Sequence, residues 1–322
     1  MIETWLQDLP HGITLSCRAC GAHDRPVLLF LHGFPEAAFV WDDVMAHFAH
    51  PDHGGYRCIA PNLRGYERSS APEDVNAYRA KHLVQDIAAL IAVVCAPQTP
   101  NTPSPPLAAL IAHDWGGAVA WSLSNQQPQL LEKLVIINSP HPGPLLKALQ
   151  HDPAQQAASA YMNFLVQADA ATQLSQNDFE GLFGFLSGPT PSAANWLTPA
   201  VKARYRAVWQ HGLQGGLNYY RASPLRPATA TDPGVAAVHI PPEFLRIEVP
   251  TLVLWAQDDV ALLPCLTEGL DTHLADWTLV PIEGATHWVV HEQPERVVFE
   301  IGRFLRPNPV SRKDLAPPQV GS

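Results

Sequence analysis

The chain is 322 residues long, 47% hydrophobic and 16% charged, with a formal net charge of −10. That composition excludes an intrinsically disordered protein, and an acidic balance without any Lys/Arg cluster argues against a nucleic-acid partner or an anionic membrane surface. The length suits one α/β domain with an insertion, and apolar runs such as VLLFL are far too short to insert into a bilayer.

In chain order, the opening MIETWLQDLPHG has no basic start and no apolar signal stretch, which predicts a cytoplasmic location. Residues 13–20 alternate weakly and predict an edge strand, whereas residues 27–31 (VLLFL) form the continuous apolar run of a buried parallel strand. Cys17 and Cys20 are spaced C-x-x-C, but no second pair completes a zinc ribbon and no helix start follows, so they read as strand residues. With five scattered cysteines, a reduced compartment is the simpler expectation. Residues 56–61 and 107–112 repeat the apolar pattern, and amphipathic helices are expected over 41–49 and 78–94. Between the second helix and the strand at 107 lies a proline-rich stretch, 96–106, which predicts a surface loop. A strand over 134–138 follows. Strand patterns then vanish from 139 to 242, where helical stretches at 153–167 and 199–214 predict an inserted helical lid. Strands return at 251–255 and 277–280, with a last helix over 295–305 opened by Pro294. Alternating strands and helices imply βαβ units and a mostly parallel sheet covered on both sides. The expected organisation is a core in two parts, 1–138 and 243–306, a cap over 139–242, and a disordered proline-rich tail over 307–322.

The chemistry centres on "LIAHDWGGAVAW" (residues 110–121). A strand ends at Ala112, His113-Asp114-Trp115 makes a sharp turn, and Gly116-Gly117-Ala118 opens a helix, which is the G-x-S-x-G elbow pattern with aspartate in the serine position and alanine in place of the first glycine. Small residues fit there because strand and helix backbones approach closely. An isolated aspartate before a helix is more often an N-cap. What favours a nucleophile is its company. A helix N-terminus keeps the carboxylate ionised, as attack requires, and the elbow needs an acid and then a histidine further along the chain. After the strand at 251 come Asp258 and Asp259, and after the strand at 277 comes Glu283-Gly284-Ala285-Thr286-His287-Trp288, both at strand C-termini, where such sheets place their chemistry. His287 is therefore the expected base, and spacing favours Asp259 over Asp258 as the acid that orients it. His291 lies four residues beyond His287 and could mimic a metal pair, but the flanking turn and Pro294 argue against a continuous helix there, so no metal is expected. His32-Gly33-Phe34-Pro35-Glu36 directly follows VLLFL, so the Phe34 and Trp115 N–H groups could jointly hold an oxyanion. His32, Pro35, Trp115 and Trp288 are expected to line the substrate pocket.

Together HGFPE, LRGYERSSAP, HDWGG, LNYYRA and GATHWVVHEQPE resemble the signatures, in order, of the epoxide hydrolase branch of the α/β-hydrolase fold superfamily, over nearly the whole of residues 12–305. The resemblance implies an α/β-hydrolase fold, a mostly parallel sheet flanked by helices with an inserted helical cap. It implies a lid tyrosine that protonates the epoxide oxygen, and the matching position is Tyr220; a second tyrosine from the first lid helix falls on Tyr161, with Leu165 as the alternative register. A half-buried lid aromatic is the plainer reading of Tyr220.

The implied reaction begins with Asp114 attacking the less hindered ring carbon while Tyr220, with Tyr161, protonates the departing oxygen. His287, oriented by Asp259, then activates water to hydrolyse the alkyl-enzyme ester to a vicinal diol, with the oxyanion on the Phe34 and Trp115 amides. The implied partners are a small apolar epoxide and water, and no cofactor is required. Haloalkane and haloacid dehalogenases share the nucleophile, the histidine and the lid. Trp115 also matches the halide-binding tryptophan of the former; Phe34 stands where many of them have asparagine, and no arginine follows Asp114 as in the fluoroacetate enzymes. A non-catalytic ligand-binding protein on the same fold is weakened because every catalytic position is filled.

Overall fold

The computed structural model describes residues 1–97, 103–188 and 194–306. Part of the proline-rich loop expected over 96–106 and the tail expected over 307–322 lie outside the described residues.

Eight strands form one sheet: β1 (Glu3–Asp8), β2 (Thr14–Cys20), β3 (Val27–Leu31), β4 (Arg57–Pro61), β5 (Ala109–His113), β6 (Leu134–Ile137), β7 (Thr251–Ala256) and β8 (Trp277–Ile282). Their order is β1-β2-β4-β3-β5-β6-β7-β8, antiparallel from β1 to β4 and parallel from β4 onward. Strands β3 to β7 are buried at every position, as a parallel sheet covered on both faces demands. β2 corrects the expectation of an edge strand. It is covered by β1, whose residues are mostly exposed and so carry no continuous apolar run to announce it. Cys17 and Cys20 sit in β2 as free, buried side chains.

Helices α1 (Asp42–Ala49), α2 (Ala80–Val94) and α3 (Trp115–Gln126) follow β3, β4 and β5, and α11 (Pro294–Leu305) closes the described chain. α1 packs with α11, and α2 with α3. Between β6 and β7 the chain leaves the sheet for the helical cap: α4 (Pro142–His151), α5 (Pro153–Ala158), α6 (Tyr161–Leu165), α7 (Ala170–Ser187), α8 (Pro199–Trp209) and α9 (Gln214–Ala222). α10 (Val289–Glu292) is a single turn before α11. Two expected cap helices are interrupted. The stretch 153–167 breaks at the buried Ser159, and 199–214 ends after Trp209, where Gly212 takes a φ of 120° that a side chain would resist. α7 is itself kinked at 176–179, with positive φ at Asn177, Asp178 and Phe179.

The cap is seated on the core by backbone. A Cβ on Gly215 at the start of α9 would stand 2.3 Å from the Cα of Gly65, and Tyr219 Oη donates to the Arg64 carbonyl at 2.9 Å. The Trp209 indole donates to the Pro35 carbonyl at 2.7 Å. These contacts fix the height of α8 and α9 above the strand ends. Among the described residues no helix is long and apolar enough to cross a membrane.

Candidate active site

Asp114 occupies the turn between β5 and α3 with φ 49° and ψ −124°, a conformation few side chains adopt. The glycines around it explain the turn. A Cβ on Gly116 would come within 2.6 Å of the Leu31 and His32 carbonyl oxygens, and one on Gly117 within 2.3 Å of Ser139 Cβ. Gly33 is equally constrained, since its Cβ would lie 2.2 Å from Asp114 Oδ1. The side chain makes no N-cap bond to its own helix. It turns instead toward β3, where the Phe34 N–H donates to Oδ1 at 2.8 Å. The Trp115 amide, first of α3, makes no bond to the carboxylate among the hydrogen bonds of the described residues. The second oxygen, Oδ2, faces His287 Nε2 at 3.7 Å.

His287 Nδ1–H donates to Asp259 Oδ2 at 2.7 Å. Asp259 is 2% exposed and fully engaged, its Oδ1 accepting the N–H groups of Ala261 and Leu262 and its Oδ2 the amide of Asn138. Asp258, by contrast, is exposed to solvent. Burial disfavours the charged imidazole, but the Asp259 carboxylate, the hydrogen bond to it and the Asp114 charge outweigh burial and lift His287 to about 9. The ring is thus protonated in the resting site at neutral pH. Removing a negative neighbour destabilises that charged form, so Asp114→Asn is expected to lower the His287 pKa, as read by NMR titration of its ring protons. An unchanged value would mean that Asp114 does not sense the ring.

A cavity of about 790 Å³ opens above Asp114, lined on the cap side by Tyr161 and Tyr220. Burial raises both hydroxyls well above the usual tyrosine range, helped by the Asp114 charge, so both are neutral donors. The Tyr220 ring packs edge-on against Phe34 and Trp115, at 5.4 and 5.0 Å between centroids, and lies 6.3 Å from Tyr161. Leu165, the alternative register for Tyr161, is fully buried away from this space. Of the four residues expected to line the pocket, only Trp115 does so. His32 is buried with its Nδ1–H on the Gly33 carbonyl and its Nε2 accepting the Leu63 N–H, and burial lowers its pKa to about 4. The Pro35 carbonyl accepts the Trp209 indole N–H, and Trp288 donates to the Phe185 carbonyl with its ring edge-on to His287. None of these three lines the cavity.

Several residues that pattern reasoning passed over surround the histidine. Glu36 is 1% exposed and accepts from Tyr205 Oη at 2.8 Å and His291 Nε2 at 2.7 Å, with His113 Nδ1 at 3.3 Å. Burial alone would raise its pKa, but His113 and His291 hold it well below the usual carboxylate range. His113 Nε2–H donates to the His287 carbonyl at 2.9 Å, so this cluster braces the backbone of the histidine and ties α8 to the core. His291 is therefore engaged with Glu36, and His287 with Asp259; the pair does not converge on one point. Among the described residues no group of three His, Cys, Asp or Glu side chains is arranged to hold a metal ion.

A profile of the alpha/beta hydrolase fold family matches residues 26–294. The chain is 33% identical over 299 residues, 92% of its length and 96% of the relative's, to AB hydrolase superfamily protein YfhM of Bacillus subtilis (strain 168). It is 30% identical over 304 residues, 92% of its length and 74% of the relative's, to epoxide hydrolase 3 of Mus musculus. A solved structure from among novel epoxide hydrolases of the alpha/beta hydrolase superfamily, found in metagenomes from hot environments, superposes with a TM-score of 0.82 at 34% identity, covering 96% of this chain and all of that one.

Proposed function

The chain belongs to the epoxide hydrolase branch of the α/β-hydrolase fold superfamily, and on that premise we propose that it opens an epoxide to a vicinal diol through a covalent ester on Asp114. The observation that carries the reading is a carboxylate with one oxygen on a backbone amide and the other facing a histidine–aspartate pair, beneath two neutral tyrosines in one cavity.

Asp114 Oδ2, the oxygen free of the Phe34 amide, attacks the ring carbon. The C–O bond of the epoxide breaks, and Tyr220, assisted by Tyr161, delivers a proton to the departing oxygen. The ester carries no charge, so His287 loses one of the anions that held its proton and passes that proton back to the tyrosinate. The neutral ring then takes a proton from water as the water attacks Cγ. Negative charge develops on Oδ1, which the Phe34 N–H already contacts; a single donor of this kind contributes about 3 kcal/mol to such a step. The Trp115 N–H completes the oxyanion site once Cγ becomes tetrahedral. Collapse breaks the Cγ–Oδ2 bond, and the His287 imidazolium protonates the departing Oδ2 to release the diol. The new carboxyl of Asp114, which keeps the water oxygen, returns its proton to His287, while Asp259 keeps the tautomer in place.

The tyrosines separate this reading from halide displacement, in which the leaving group needs no proton. With purified protein, styrene oxide is expected to give the diol and alkyl halides no halide. Tyr220→Phe is expected to slow diol formation by roughly 10²- to 10³-fold. Halide release from an alkyl halide at a rate indifferent to Tyr220→Phe would assign the site to dehalogenation instead.

A further inference from the structure

The cavity continues well past the reacting groups. Trp115, Ala118, Val119, Ser122, Asn125 and Gln126 all line it, a spacing that places them on one face of α3. At 1.5 Å per residue this stripe extends about 16 Å from Trp115 to Gln126. A small epoxide occupies only its first turn. Leu145 of α4 and Leu225 and Val238 of the segment after α9 line the same cavity. The far end opens to solvent: Gln126 is exposed, and Phe244, which also lines the cavity, is 56% exposed at its lip.

Two of the polar side chains along the stripe, Ser122 and Asn125, are engaged with backbone. Ser122 Oγ donates to the Ala118 carbonyl at 3.1 Å, and the Asn125 amide donates to the carbonyls of Glu243 and Arg246 at 2.9 and 2.8 Å. A substituent lying there meets mainly carbon, which suits an apolar arm.

We infer that the site is shaped for epoxides bearing an extended apolar arm, which runs from Asp114 along α3 toward Gln126 and Phe244, with Ser122 setting how long an arm is accepted. The inference rests on the proposed ring opening at Asp114. It is tested with the wild-type protein on a series of straight-chain terminal epoxides, from butene oxide to dodecene oxide, each below its solubility limit. kcat/KM is expected to rise by about tenfold or more along the series, mostly through KM, because each added methylene leaves water for the channel. Ser122→Trp places an indole across the channel about two turns from the nucleophile and is expected to bring the ratio of dodecene oxide to butene oxide close to one. A wild-type ratio near one with butene oxide still hydrolysed overturns the arm and leaves ring opening standing. Retention of the wild-type preference by Ser122→Trp also overturns it. Turnover of no member of the series, with styrene oxide inert as well, removes both the proposed reaction and the arm.

Discussion

Asp114→Ala is expected to lower epoxide turnover by roughly 10⁵-fold or more, since a nucleophile and its partners act as a unit whose loss is close to total. The variant has good reason to fold. Asp114 makes no cap bond to α3, the Phe34 amide loses one partner beside a cavity, and alanine removes only carboxylate atoms from the turn. The stronger form of the experiment follows oxygen. In a single turnover in heavy-oxygen water with enzyme in excess, the label is expected in the Asp114 carboxylate and absent from the diol, because the product leaves with Oδ2. Label in the diol alone would show that water attacked the epoxide directly and that Asp114 only oriented it.

His287→Gln is expected to be nearly as damaging to turnover but with a different signature. Alkylation depends on Asp114 Oδ2 and the tyrosines, so the first step still proceeds, while the ester then lacks a base for its water. The peptide containing Asp114 is expected to gain the mass of one epoxide, at up to one equivalent per chain, with steady-state turnover reduced by roughly 10⁴-fold. No mass gain under these conditions, with the variant folded, is the result that sinks the covalent route. The high pKa of His287 adds a pH dependence to the wild type. Its proton is held at neutral pH by two carboxylates, and one of these charges disappears on ester formation, so the apparent pKa of the hydrolytic step is expected below about 9. Comparing the pH profile of ester decay with the NMR titration of the free enzyme checks this.

Much of the sheet was legible because β3 to β7 are short runs that bury both faces, a pattern carried by consecutive residues. β1 was not, since an exposed edge strand owes its existence to its partner β2 rather than to its own side chains. Asp114, Asp259 and His287 were legible through turns at strand ends and their order along the chain. The Glu36 cluster was not. It draws Glu36, His113, Tyr205 and His291 from four separate segments, none of which has a spacing that announces the others. For the same reason His32, Pro35 and Trp288, each one or two residues from a reacting group or its support, were expected in the pocket and do not line it.

By itself, then, the sequence determined the order of elements, the tight turn at Asp114 and the succession of acid and histidine, because periodicity and small residues at a strained turn act within about a dozen residues. Which oxygen of Asp114 meets the Phe34 amide and which faces His287, the braced position of that histidine, and the channel along α3 were decided only by tertiary packing. Those are distances between side chains on segments far apart in the chain, set by how the cap and the sheet settle against each other.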